Sequence, residues 1–272
     1  MLYEVQMENA ATAEAPFPAG SAPRETRKQA LKSSLKRSQF VVGLARAVKG
    51  LIRDVRVMAW LARRDPVITD YLNSHTVKKL QLGASNNLLP EWLNTDISIN
   101  HKSVVYLDAT QRFPFNNDTF DYIVSEHMIE HVPYQAAQSM LRECYRVLQP
   151  SGRVRLATPD LRVLLALHNR EKTDAQIRYI DWAITRFMPN VQECRDVFVI
   201  NNFFHSWGHC FLYDHEMLQR ALETAGFCRI QFYKPGTSDD SNLRNLEFHG
   251  KELQSEEINQ FETIVVEGSK EA

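Results

Sequence analysis

Long apolar runs are missing from this chain: nowhere among its 272 residues does a stretch approach the roughly 18 uninterrupted apolar positions that a membrane-spanning helix needs. The opening residues, MLYEVQMENAATAEAPFPAG, also lack the basic-then-apolar order of a secretory signal, so the expected location is the cytoplasm. Cysteine is scarce. Cys144, Cys194, Cys210 and Cys228 lie far apart with no C-x-x-C pair, which suits reduced core thiols better than a disulfide frame or a structural zinc site. Glycine is scarce too, at 10 residues. Neither G-x-G-x-x-G nor G-x-x-x-x-G-K-[ST] occurs, which argues against a dinucleotide-binding dehydrogenase and against a P-loop.

What is present is unevenly distributed. The net charge of -1 hides a basic stretch from Arg24 to Arg64, where 12 Lys or Arg face only Glu25 and Asp54. Within it, Val42, Ala45, Val48, Ile52, Val55, Ala59 and Leu61 fall at loosely helical spacing, so one or two amphipathic helices with basic wet faces are expected. Such helices pack on a domain or lie against anionic membrane at its periphery. No aromatic residues interleave with the charges, so nothing points to nucleic acid. Residues 1–23, rich in Ala, Pro, Glu and Ser, hold too little large apolar content to fold and are expected to be disordered. The division expected is disorder over 1–23, a basic helical extension over 24–74, and one domain over 75–272.

From residue 78 onward short apolar runs alternate with helical patterns, the mark of an α/β fold with a mostly parallel sheet. Seven strands are expected at 78–83, 92–97, 103–108, 120–127, 153–159, 227–234 and 261–269, the last two forming an antiparallel hairpin at the sheet edge. Helices fit Tyr134 to Leu148, before Pro150-Ser151-Gly152, and Asp214 to Ala225, with Gly226 as its terminal cap.

Open parallel sheets bind ligands beyond the carboxyl ends of their strands. Here those ends carry Gly83-Ala84-Ser85-Asn86, then Asp96, then Asp108 and Ala109, then Glu126 and His127. Small residues admit a ligand to the backbone, and an acid after the second strand suits a pair of ribose hydroxyls. On LQLGASNN, the Asp96 strand end, LDATQRFPFNNDTFDYIVSEHMIEHV and YRVLQPSGRVRLATPDL, the chain resembles the class I S-adenosylmethionine-dependent methyltransferases, in particular the type 11 group. The resemblance is good over roughly residues 75–165 and looser beyond. It implies a Rossmann-like doubly wound sheet, S-adenosylmethionine as cofactor, Gly83, Ala84, Ser85 and Asn86 around its methionine end, Asp96 at the ribose, Asp108 and Ala109 at the adenine, and Glu126 with His127 at the boundary to the acceptor. Only about nine residues separate the first two strands, too few for the usual first crossover helix.

Two histidine pairs have i, i+4 spacing: His127 with His131, and His205 with His209. Neither has the H-E-x-x-H order of a helical zinc site, and no metal is expected. His127, His205 and His209 are the candidates for a proton-removing or positioning role. The segment 168–213 adds Tyr179, Trp182, Arg186, Phe187 and Trp207, aromatic faces with polar edges that suit a polyhydroxyl acceptor. The tail FHSWGHCFLYDHEMLQRALETAGF resembles methyltransferases found among bacterial surface-polysaccharide enzymes, which implies O-methylation of a sugar hydroxyl. A lipophilic or quinone-like acceptor, or a non-catalytic cofactor-binding scaffold, would use the same cofactor half.

Overall fold

A computed structural model describes residues 39–272. The expected disorder of residues 1–23, and the start of the basic extension, lie outside the described residues. Among the described residues the first element is one continuous helix: α1 (Gln39–Ser74) runs for 36 residues with Pro66 inside it. Its last turns carry Ile68 and Tyr71 into the main core, and the Tyr71 hydroxyl accepts from the Lys79 amide at 2.8 Å. Its earlier turns present Leu44, Val48, Leu51, Ile52, Val55 and Met58 to solvent. Among the described residues no helix is long and apolar enough to cross a membrane.

Seven strands follow: β1 (Lys79–Leu82), β2 (Leu93–Asp96), β3 (Val105–Tyr106), β4 (Phe120–Glu126), β5 (Leu148–Pro159), β6 (Cys228–Tyr233) and β7 (Thr263–Ser269). They form one sheet in the order β3-β2-β1-β4-β5-β7-β6. The first five are parallel, and β7 runs antiparallel to both β5 and β6, one place in from the edge. This is the Rossmann-like doubly wound architecture, with every expected strand present. The chain leaves β1 outward through β2 and β3 and returns on the other side as β4, so the switch point lies between β1 and β4.

Helices α2 (Tyr134–Val147) and α6 (His215–Ala225) cover one sheet face. Ala137, Met140, Leu141 and Cys144 recur at the helical period on the buried side of α2, opposite Leu218, Ala221 and Leu222 of α6. Asp214 accepts from the Met217 amide at 2.8 Å and caps the start of α6, and Gly226, at φ 104°, ends it in the left-handed conformation.

The other face is covered differently. The connector from β1 to β2 carries no helix, as its length requires, and the long β6–β7 segment lies over the strands instead. Leu243 packs with Leu89, Trp92 and Val124, and Leu246 joins them. Beside them Arg155, wholly buried on β5, meets Glu247 and Glu267 at 2.6 Å each. A second core joins α3 (Leu161–Ala166), α4 (Asp174–Phe187) and α5 (Asp196–His205) to α7 (His249–Leu253) and α8 (Glu256–Glu262) through Tyr179, Ile180, Phe203, Leu253 and Ile258. These five helices form a cap beyond the carboxyl ends of the parallel strands.

Candidate active site

The loop leaving β1 turns at once because Gly83 holds φ at 71°, where a side chain is strained. A Cβ there would lie 2.7 Å from Met128 Cγ, so the position is closed to any larger residue. The Ala84 amide donates to Thr95 O at 3.0 Å, and the Ser85 amide donates to Asp96 Oδ2 at 2.9 Å. Asp96 Oδ1 accepts from the Ser98 amide at 2.7 Å, which fixes the carboxylate at the end of β2. Asp108 is held similarly by the amide and hydroxyl of Thr110, at 2.9 and 2.6 Å.

Glu126, at the end of β4, is tied to the cap. It accepts from the amides of Phe248 and His249 at 2.7 and 2.8 Å and from Asn87 Nδ2 at 3.1 Å. Asn87 Nδ2 also donates to Leu246 O at 2.9 Å. The strand-end loop, the fourth strand and the C-terminal segment are thereby fastened at one point.

Between the strand ends and the cap lies a cavity of about 440 Å³, within the range of small-molecule sites. Gly83, Ala84, Ser85 and Asn87 line it on the β1 side, and Trp182, Arg186, Phe187 and Trp207 on the cap side. Its remaining wall is a set of histidines and carboxylates. The His127 ring stacks on His249 at 3.7 Å, with Nδ1 3.3 Å from Glu130 Oε1 and Nε2 3.3 Å from Thr263 Oγ1. Glu130 is wholly buried, and its Oε2 accepts from Thr158 Oγ1 at 2.9 Å. Burial alone would push Glu130 up, but the His127 and His209 rings hold it below the ordinary carboxylate value.

His209 Nδ1 lies 2.8 Å from Phe203 O; because a carbonyl only accepts, that nitrogen bears the proton and Nε2 carries the lone pair. Desolvation lowers the pKa of His209, and with the nearby His209 it pushes His131 down to about 3. His249 goes the other way. Burial opposes its charge, yet Glu252 and Glu262 raise it to about 9, with Nε2 donating to Glu262 Oε1 at 2.8 Å. The buried Tyr179 hydroxyl donates to the other oxygen of Glu262. One histidine of the stacked pair is thus charged at neutral pH.

Six of the expected site residues, Gly83, Ala84, Ser85, Glu126, His127 and His209, line this one cavity. Asp96, Asp108 and Ala109 stand at the ends of β2 and β3 outside it, and Asn86 is exposed while Asn87 turns inward. His205 is exposed on the last turn of α5 and does not line the cavity. Its i, i+4 relation to His209 is not a helical one, because α5 ends there and Gly208, at φ 75°, redirects the chain. Glu130, His249 and Glu262 were not among the expected site residues. The available signal was topological: an antiparallel last strand begins, rather than ends, at the binding edge, as the pairing of Thr263 with Pro159 shows.

Residues 80–156 match the type 11 methyltransferase family model, described as a methyltransferase domain. No curated protein matches the chain. Among solved structures, a SAM-dependent methyltransferase from Archaeoglobus fulgidus is similar at 15% identity, covering 80% of this chain and 94% of that one with a TM-score of 0.44. A SAM-dependent methyltransferase from Thermotoga maritima, a possible histamine N-methyltransferase, is similar at 14% identity, with coverage of 79% and 97% and a TM-score of 0.42. Phosphoethanolamine N-methyltransferase 2 of Haemonchus contortus, in complex with S-adenosyl-L-methionine, is 13% identical over 79% of this chain and 52% of that one, at a TM-score of 0.38.

Proposed function

We propose that this chain, an S-adenosylmethionine-dependent methyltransferase, methylates a hydroxyl of a small or glycan-linked acceptor, a sugar hydroxyl first among these. The observation that carries the reading is the single cavity that runs from Gly83 and Ser85 to Trp182, Trp207 and Arg186. Apolar ring faces with a guanidinium and carboxylates at their edges suit a polyhydroxyl ligand.

The residues present fit the cofactor: Gly83 admits close backbone approach, and the strand ends offer carboxylates in series. Asp96 receives one amide on each oxygen, which leaves a lone pair on each for the two ribose hydroxyls. Asp108 and Ala109 complete the surround at the adenine, and Asn86 belongs to the loop at the methionine end. When bound, S-adenosylmethionine supplies a methyl group activated by its sulfonium charge. The chain then has two tasks, to align the acceptor oxygen and to take its proton. We assign the second to His127, with Glu130 against Nδ1 to stabilise the imidazolium that results. His209 shapes the same wall of the cavity, and Glu126 holds the cap closed over the cofactor loop.

Incubating cell extract with methyl-labelled cofactor and separating lipid, glycan, protein and RNA fractions tests the acceptor class; label in glycan is the expected result. Label in the lipid fraction favours the second reading, a lipophilic or quinone-like acceptor, which the Trp182, Phe187, Phe203 and Trp207 lining supports. Calorimetry that is silent with both S-adenosylmethionine and S-adenosylhomocysteine would overturn the whole reading.

The helix α1 is assigned to peripheral contact with anionic membrane. Leu44, Val48, Leu51, Ile52, Val55 and Met58 recur along one exposed stripe, with Arg46 and Arg56 on the same solvent-exposed turns. Co-sedimentation with liposomes is expected to require anionic lipid and to be lost on deleting residues 1–64; indifference to both rejects the contact.

A further inference from the structure

Each of the two histidine pairs sends one member to a common point. Glu130, His131 and His209 offer ligand atoms that all lie within 4.8 Å of one another in the cavity wall. We infer that these three side chains form a binding site for a divalent transition-metal ion, two imidazoles and one carboxylate, with open positions facing the cavity.

Three observations support the site independently of its activity. The first is the rigid link between its halves: the amides of Cys210 and Phe211 both donate to Glu130 O, at 2.7 and 3.0 Å, which pins the loop bearing His209 to the single tight turn (Ile129–His131) bearing the other two ligands. The second is outer support. His209 Nδ1 is taken up by Phe203 O and Glu130 Oε2 by Thr158, so two of the three ligands are oriented through their far atoms. The third is charge. Glu130 is wholly buried, no lysine or arginine among the described residues forms an ion pair with it, and a buried carboxylate calls for a cation.

The donor set selects the ion. Two nitrogens and one oxygen suit zinc, cobalt, manganese or iron(II), whereas magnesium and calcium prefer all-oxygen sets. Ligand atoms around such an ion stand about 3.4 Å apart in a tetrahedral arrangement at bond lengths of about 2.0–2.1 Å. His131 Nε2 and Glu130 Oε1 are 4.0 Å apart, so the ion draws them in by less than an ångström. His127 stays against Glu130 Oε1 at the margin of the site. Resting on the methyl-transfer reading, the ion would hold an acceptor oxygen beside His127 and ease loss of its proton; the site itself does not depend on that reading.

The test uses the full chain, stripped with chelator and titrated with Co²⁺ and Zn²⁺. The expected result is one equivalent bound, with a visible Co²⁺ absorption of nitrogen-and-oxygen type. His131→Gln and His209→Gln, each checked for folding by circular dichroism, should weaken binding by at least about 10-fold, whereas Cys194→Ser and Cys210→Ser should leave the spectrum unchanged. S-adenosylhomocysteine affinity, measured on the same samples, reports on the cofactor reading separately. No stoichiometric binding by the wild-type chain, or binding that survives in both histidine variants, overturns the site.

Discussion

Arg155, wholly buried in the middle of β5, meets Glu247 and Glu267 at 2.6 Å each, and Arg153 beside it reaches Asp239 and Glu267 at 2.8 and 2.6 Å. Glu130, buried as completely near the end of β4, faces His127, His131 and His209 instead. The first cluster matches cations to carboxylates and is closed under the β6–β7 segment. The second sets a carboxylate among imidazole rings at the wall of a cavity. Burial is common to both, so burial does not distinguish a fastening from a site. Pairing does: the closed network has its partners within the chain, and the open one keeps lone pairs for something else.

The sharpest way to break the comparison is to leave a charge without its partner. Arg155→Met should destabilise the fold by about 3–5 kcal/mol in urea unfolding, because Glu247 and Glu267 then stay buried and uncompensated. Replacing Glu247 and Glu267 by Gln in the same chain should recover part of that loss. At the open cluster the same kind of change should cost activity rather than fold. His127→Gln is expected to lower kcat by about 10²- to 10⁴-fold with S-adenosylhomocysteine affinity held within a few-fold, as single-turnover kinetics and calorimetry would show. Gly83→Val combines a side chain at φ 71° with a contact at 2.7 Å. It should cost about 1–3 kcal/mol of stability and remove cofactor binding by calorimetry.

A further effect expected is a pH dependence of stability. His249 is raised to about 9 in the fold by Glu252 and Glu262, against an ordinary value near 6.5. Its folded pKa is the higher one, so its contribution is complete below about pH 6.5 and fades as pH rises through about 9. In His249→Gln the alkaline limb of a stability–pH curve from urea melts should be flatter. An unchanged limb would mean that the ring is not charged in the fold.

Sequence patterning carried the sheet far. All seven strands, α2, α6 and the Gly226 cap follow from apolar periodicity and stop signals, since these features are set by residues close in the chain. The short β1–β2 gap gave the missing crossover helix, but not what replaces it. PGTSDDSNLRNLEFHGKELQSEE reads as a polar loop because its few apolar residues, Leu243, Leu246 and Leu253, have no local period. Only the fold shows Leu243 and Leu246 joining one core and Leu253 another. The alternate Arg153 and Arg155 on a central strand were the one local sign that acids from elsewhere must lie against that face. Of the expected strand-end residues Gly83, Ala84, Ser85, Glu126 and His127 line the cavity while Asp96, Asp108 and Ala109 do not; the Glu130, His131 and His209 grouping was not legible, because it joins positions about 80 residues apart across two pairs that sequence spacing treats separately.

The fastening of Asn87 to Leu246, 159 residues away, bears on the order in which the molecule becomes competent. A chain emerging from the ribosome can align β1 to β5 early, since their pairings need only the first 159 residues. The loop after β1 gains its anchor, and Glu126 its two backbone amides, only after residues 246–249 have been made. The fastening of these strand ends accordingly waits on residues 246–249, and a nascent chain halted near residue 230 should expose strand ends that have nothing to hold them shut.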